Sequence, residues 1–293
     1  MNKIRILLFF FTLLSTVSFA QKGKIIEERT VKSSVLNRSV KYTIYLPADY
    51  ETSERTYPVV YLLHGYTDDN TAWVQFGEIN RLADAAIAEG TIPPMIIVMP
   101  NADSSWYINS YDGKEKYEDF FVKEFIPTIE KTYRIKAEKT FRGIAGLSMG
   151  GYGTLILCLK HPELFSAAAP LSAAVFDDNT LTSIPDKNYE NTFGQLFGRG
   201  LKGKDRLNDS WYSNSVLKII ETKSADDLRK VHYWIDCGDD DFLTKGNCLL
   251  HIALTDKGVP HEFRMRDGAH TWTYWRTGII PALAFIGDEF HQK

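Results

Sequence analysis

Beyond its first twenty residues the chain lacks any apolar run long enough to cross a bilayer. It has no basic block: 34 Lys and Arg stand against 37 Asp and Glu, a formal net charge of −3 spread along the sequence. That balance excludes the electrostatic footprint of a nucleic-acid-binding protein. Cysteine is scarce, with Cys158, Cys237 and Cys248 alone and no C-x-x-C. A zinc ribbon or a thiol-redox centre therefore has no ligand or nucleophile pattern to build on. Three is an odd number, so at least one thiol stays unpaired within the chain. Export permits disulfides, and Cys237 with Cys248 is the more plausible pairing, although nothing in the sequence fixes their geometry; Cys158 lies in an apolar helical run and is expected in the core. There is no internal repeat and no low-complexity linker. With 44% hydrophobic and 24% charged residues, the composition is that of a globular enzyme rather than a disordered chain.

What is present begins with a targeting segment. Lys3 and Arg5 make a positive start, residues 6–14 are almost unbroken apolar, and Ser18-Phe19-Ala20 places small residues where a signal peptidase reads them. Cleavage is expected after Ala20, giving a signal peptide over 1–20 and one domain over 21–293. The protein would be exported, to the periplasm or medium. Gln21 follows the cut, so no lipobox cysteine supplies a lipid anchor, and no membrane anchor is expected after cleavage. Loss of Lys3 and Arg5 leaves 32 basic residues against 37 acids, a net charge of −5.

Apolar patterning along the remainder alternates between two periods. Residues 24–32 and 39–46 read as strands rich in β-branched residues. PVVYLL at 58–63 and MIIVM at 95–99 are short continuous apolar runs, which suit strands buried on both faces. Residues 140–147, 166–171, 231–237 and 261–266 complete the strands. Helical spacing appears at 79–89, 116–133 (with Pro127 a possible kink), 149–160, 243–255 and 272–290 (with Pro281 a possible interruption). Strand–helix alternation of this kind predicts an α/β fold, a mostly parallel central sheet with helices on both faces. Residues 177–215 break the rhythm: polar, Gly-rich and poorly periodic, with Phe193, Phe197, Trp211 and Tyr212 scattered through them. So long an irregular stretch is expected to be an insertion that shapes a binding site.

The chemistry is carried by Gly146-Leu147-Ser148-Met149-Gly150, a G-x-S-x-G placed between a strand and a helix. Such a turn holds a serine on a strained elbow at the carboxyl end of a sheet, and side chains at 146 and 150 would block the close approach of strand and helix. A serine hydroxyl needs a base, and in this strand–turn–helix setting the partners follow in the order Ser, acid, His. The acid belongs after a downstream strand, where Gly238-Asp239-Asp240-Asp241-Phe242-Leu243 offers three carboxylates. Spacing alone does not choose among them. An Asp held by the following apolar pair would point inward, which favours Asp241. Among the later histidines, His251 falls on a helix, His261 begins a strand and His291 lies in the tail. His270 alone sits in a loop after a strand and before a helix. Ser148 is thus the expected nucleophile and His270 its general base. Oxyanion donors are expected from the Met149 amide and from the Tyr66 amide in His64-Gly65-Tyr66, with His64 structural because it precedes the serine.

With those motifs in place the chain resembles the esterase D-like branch of the α/β-hydrolases, and within it carbohydrate esterase family 1. The resemblance runs from about residue 39 to about residue 285. It rests on YLLHG with Trp73 downstream, IAGLSMGGYG, CG-x-x-DFL at 237–243 and GAHTWTYW. It implies Asp241 as the acid, Tyr66 and Met149 as oxyanion donors, and hydrolysis of feruloyl or acetyl esters of plant polysaccharides or oligosaccharides through an acyl-enzyme. S-formylglutathione hydrolases, siderophore esterases and mycolyl-transferring enzymes share the scaffold. A siderophore esterase, an acyltransferase or a non-catalytic carbohydrate-binding homologue are the alternatives. No metal or organic cofactor is expected. Trp73, Trp106, Tyr107, Trp272 and Trp275 fall in or near loops around the nucleophile. Trp73, Trp106 and Trp272 are the expected substrate contacts, stacking on an aromatic acyl group or a sugar ring.

Overall fold

The computed structural model describes residues 22–290, so the expected signal peptide and its cleavage point lie outside the described residues. Eight strands form one sheet: β1 Lys24–Ser33, β2 Arg38–Leu46, β3 Val59–Leu63, β4 Ile96–Pro100, β5 Arg142–Leu147, β6 Ala167–Leu171, β7 His232–Gly238 and β8 His261–Arg266. Their order is β1-β2-β4-β3-β5-β6-β7-β8. The β1/β2 and β2/β4 pairs are antiparallel, and every pair from β4 to β8 is parallel.

The uninterrupted apolar runs follow from burial on both faces. In β3, Val59, Tyr61 and Leu63 enter the core on one side, and Val60 and Leu62 enter the core on the other. The same division recurs in β4, with Ile96 and Val98 opposite Ile97 and Met99. Period-two side chains of a strand between two helical layers must do this. Helices Ile79–Ala88 and Trp272–Glu289 cover one face; Met149–Lys160, Val216–Thr222 and Thr244–Asp256 cover the other. Met149–Lys160 is buried from Met149 through Leu159, which explains why its sequence is apolar all round rather than striped. No helix among the described residues is long and apolar enough to cross a membrane.

Several elements depart from expectation. The expected helix at 116–133 is built in three parts, Tyr117–Phe120, a π-turn Phe121–Phe125, and Ile126–Thr132. Pro127 has no amide hydrogen and its ring crowds the carbonyl four residues back; the wider turn just before it accommodates both. Residues 139–141 form a 3-10 turn, so β5 begins at Arg142. Pro281 sits inside the last helix, which runs unbroken from Trp272 to Glu289. Residues 177–215 hold short helices, Asp178–Ser183, Asp186–Thr192, Gly194–Phe197 and Asp209–Asn214, too brief for a periodic stripe. Side chains of Asp177, Asn208 and Ser215 cap helix starts here. The fully buried Arg206 ties the first two of these helices together: its guanidinium donates to the carbonyls of Leu181 (3.0 Å) and Ile184 (2.6 Å) and to Asp186 Oδ1 (2.6 Å), and lies over the Tyr189 ring. Cys237 and Cys248, whose pairing the sequence left open, are not bonded to each other. All three cysteines are free: Cys237 Sγ packs on Thr244 Oγ1 at the end of β7, while Cys248 lies further along the helix that Thr244 opens.

Candidate active site

The candidate side chains gather at the carboxyl ends of the parallel strands, the edge where ligands of open α/β sheets bind. β5 delivers Ser148 at φ 55°, ψ −115°, a left-handed conformation that costs a non-glycine residue of the order of 1–3 kcal/mol. Neighbouring backbone holds it there. The Ser148 amide donates to Leu171 O at 3.0 Å, and its carbonyl accepts from the amides of Tyr152 (3.0 Å) and Ala174 (3.1 Å). The flanking glycines are sterically required. A Cβ at 146 would stand 2.5 Å from Gly150 O, and one at 150 would stand 2.5 Å from Leu63 O and 2.6 Å from His64 O.

β7 and β8 deliver the other two side chains through loops pressed backbone to backbone. A Cβ on Gly238 would lie 2.0 Å from Gly268 O. The amides of Asp239 and Asp240 donate to Arg266 O (3.0 Å) and Gly268 O (3.1 Å), and Asp239 Oδ1 accepts from the Gly268 amide at 3.1 Å. Thr271 then caps the last helix, leaving His270 in the turn before it. The result is a hydrogen-bonded line. His270 Nδ1 donates to Asp241 Oδ2 at 2.8 Å, and His270 Nε2 faces Ser148 Oγ at 2.9 Å. An ionised carboxylate only accepts, so it holds the proton on Nδ1 and leaves Nε2 free to accept from the serine hydroxyl.

Asp241 is buried, with its second oxygen accepting from the Leu243 amide at 2.8 Å. Burial by itself pushes its carboxyl up. Hydrogen bonds from His270, the Leu243 amide and the Ser172 hydroxyl outweigh that and hold it below the usual carboxylate range. Asp239 and Asp240 are exposed on the same turn. Of the three carboxylates left open by spacing, the structure brings Asp241 to the imidazole.

Two supports were not anticipated from sequence. Ser172, fully buried at φ 44°, accepts a hydrogen bond from Trp275 Nε1 at 3.1 Å, and Trp275 also packs edge-on against His270 with ring centroids 4.8 Å apart. Asn247, fully buried, accepts from the Ala173 amide (3.3 Å) and donates to Ala173 O (2.9 Å) and Leu243 O (3.0 Å). It therefore pins the strand exit beside Ser148 to the turn that carries Asp241. The signal for it lies in the stripe Leu243, Asn247, Leu250, Leu254: all four are buried, and one is polar.

The loop after β3 lies against the elbow. A Cβ on Gly65 would approach Leu147 Cδ1 at 2.7 Å and Ser148 Cβ at 3.8 Å. The Met149 and Tyr66 amides donate to no acceptor among the described residues. His64 is buried and structural: Nδ1 donates to Gly65 O at 2.8 Å and Nε2 accepts from the Ala102 amide at 2.9 Å. Burial lowers its pKa from the usual 6.5, keeping it neutral. Tyr107, fully buried, donates to His64 O at 3.0 Å.

The expected aromatic contacts divide. Trp73 is not at the surface of the crevice: it is 1% exposed, and its indole donates to Leu63 O at 3.0 Å, which makes it a brace under the β3 exit. Trp106, 6% exposed, is packed by Tyr66, Tyr152, Phe176 and Phe193, which ties the 177–215 segment to the crevice wall. Trp272 is half-buried between Trp73, Phe76 and Trp275. Phe242, absent from the expected contacts, stands with its ring centroid 4.6 Å from His270.

Topology and crevice together define an α/β-hydrolase. A family model described as putative esterase matches residues 33–286, and the chain belongs to that family. It is 34% identical over 158 residues to an endo-1,4-beta-xylanase/feruloyl esterase of Xylanibacter ruminicola, covering 52% of this chain and 22% of that protein. The chain thus spans about a fifth of that relative's length. It is 28% identical over 266 residues to an acetyl esterase of Caldicellulosiruptor saccharolyticus, covering 87% of this chain and 95% of the relative. A solved structure of a ferulic acid esterase superposes with a TM-score of 0.77 at 36% identity, covering 92% of this chain and 99% of that one.

Proposed function

We propose that the protein is an exported serine carboxylic-ester hydrolase that removes feruloyl or acetyl groups from plant polysaccharide or oligosaccharide. The observation that carries the reading is the hydrogen-bonded line Ser148–His270–Asp241, at 2.9 and 2.8 Å. Relatives and a structural neighbour named as feruloyl and acetyl esterases support the acyl class. The targeting pattern of residues 1–20 supports export.

In this reading His270 Nε2 takes the Ser148 proton as the hydroxyl oxygen attacks the ester carbonyl. Asp241 keeps the imidazole in the accepting tautomer and stabilises its cationic form. The developing oxyanion is held by the Met149 amide, at the start of a helix, and by the Tyr66 amide. His270 then returns its proton to the leaving alcohol oxygen. Water repeats the sequence on the acyl-enzyme, releasing the acid and restoring Ser148. The strained elbow keeps the hydroxyl clear of the backbone, and the pinned acid turn keeps the imidazole from swinging away.

The test is side-by-side rate measurement on methyl ferulate, acetylated xylan and a siderophore ester, with Ser148→Ala as control. Hydrolysis of methyl ferulate, acetylated xylan or both, and a loss on the order of 10⁶ in kcat for Ser148→Ala, is expected. Ordinary activity in Ser148→Ala, or turnover of the siderophore ester alone, overturns the reading.

A further inference from the structure

We propose that Phe242 is the platform for the alcohol portion of the ester, and that this portion is a neutral sugar. The inference rests on the roles given above to Ser148, His270 and Asp241.

Those roles divide the mouth of the crevice. The acyl oxygen must face the amides of Met149 and Tyr66, and the leaving oxygen must lie within reach of His270 Nε2, which protonates it. The alcohol therefore lies on the imidazole's side. Behind Tyr66, the rings of Trp106, Tyr152, Phe176 and Phe193 pack against one another. On the His270 side the imidazole meets the buried Trp275 and the open ring of Phe242. Phe242 is 75% exposed, more than any other large hydrophobic side chain among the described residues, and tilts 51° to the imidazole.

The ring is also held ready. Asp241 on one side of it is fixed by His270 and the Leu243 amide, and Leu243 on the other is buried. A ligand stacking on Phe242 therefore pays little to order the backbone beneath it. A flat apolar face beside a general acid suits the C–H face of a pyranose or furanose ring, whose hydroxyls project at its edge. The neighbouring carboxylates of Asp239, Asp240 and Asp267 are exposed and lie within 4.8 Å of one another. They accept hydrogen bonds from sugar hydroxyls and repel an anionic alcohol or thiol, so the leaving group selected is uncharged.

The experiment compares esters with one acyl group and two alcohols: methyl ferulate against the ferulate ester of an arabinose-bearing xylo-oligosaccharide, in wild type, Phe242→Ala and Phe242→Tyr. Phe242→Ala is expected to lose on the order of 10-fold more kcat/KM on the sugar ester than on methyl ferulate, with the extra loss falling on KM and any loss through His270 shared by both esters. Phe242→Tyr keeps both rates. Free xylo-oligosaccharide inhibits wild type competitively and inhibits Phe242→Ala more weakly. Equal losses on both esters would mean that the ring only steadies His270, and would overturn the proposal, as would no loss on either. Failure of the underlying esterase reading looks different: wild type turns over none of these esters.

Discussion

Replacing Asp241 by Asn changes one atom in a buried side chain and inverts the logic of the crevice. The Leu243 amide, 2.8 Å from Oδ1, must keep an oxygen opposite it, so the new NH₂ group falls where Oδ2 now accepts from His270 Nδ1. Two donors cannot face each other. The imidazole responds by giving up the Nδ1 proton and carrying it on Nε2, where it points at Ser148 and can accept nothing. The same tautomer reversal in a serine protease triad lowers kcat by about 10⁴. A loss of that order is expected here, about 5.5 kcal/mol of transition-state stabilisation, with KM little changed. Asp239→Asn and Asp240→Asn, exposed on the same turn, are expected to lose less than about 10-fold. Stability separates the variants too. The native Asp241 carboxyl is held below its ordinary value, so its contribution is present above the unfolded pKa of about 3.9 and is lost as pH falls through the depressed native value. Acid unfolding of Asp241→Asn should accordingly be less steep than that of wild type. The assay is kcat on 4-nitrophenyl acetate for all three variants, with thermal melts to confirm folding. Equal losses in all three, or Asp241→Asn within 10-fold of wild type, would refute the tautomer reasoning.

Gly150→Ala places a methyl 2.5 Å from Leu63 O, against backbone that cannot rotate away. It should cost about 1–3 kcal/mol in a denaturant titration and on the order of 10² in activity as the elbow shifts; a neutral effect on both would show that the elbow has slack. His64 is neutral when folded and has its pKa lowered by burial, so the unfolded chain takes up the proton first as pH falls below about 6.5. Stability therefore declines with acidification through that window, and a His64→Gln variant, less stable at pH 7.5, should show a flatter slope of Tm between pH 6.5 and 5. An identical slope would remove His64 as the cause. Arg206→Met removes the donor to the Ile184 carbonyl, leaves the Leu181 carbonyl only the long bond from the Ile184 amide (3.4 Å), and should destabilise the protein by about 1–3 kcal/mol. Hydrogen exchange should show the loss concentrated at 177–215 rather than over the sheet.

Features governed by local pattern were legible in the sequence. Continuous apolar runs marked β3 and β4 because both faces of those strands are covered. G-x-S-x-G marked the elbow because the turn tolerates only glycine at 146 and 150. His270 was singled out by its place between a strand and a helix, and Asp241 by the apolar pair that follows it, although only Leu243 of that pair is buried and Phe242 stands exposed. What stayed hidden depends on contacts between distant segments. Trp73 and Trp272 look alike as loop tryptophans near the motifs, yet one is sealed under β3 and the other half-buried. Ser172 and Asn247 act through partners 103 and 74 residues away in sequence. The first two helices of 177–215 are joined through one buried arginine, and the later ones bury Leu196, Phe197 and Trp211, too scattered to read as a stripe. The strand end at Cys237 and the helix that carries Cys248 were both legible, but the distance and direction between the two thiols were not, because those depend on how the strand and helix pack.

Labelling with a fluorophosphonate probe tests the central claim most directly, since the probe reacts with a serine only when a neighbouring base activates it. One adduct per chain is predicted, on the peptide that contains Ser148, and Ser148→Ala and His270→Ala should both abolish it while remaining folded. A folded wild type that takes up no probe, or an adduct on another serine that persists in both variants, would contradict the account.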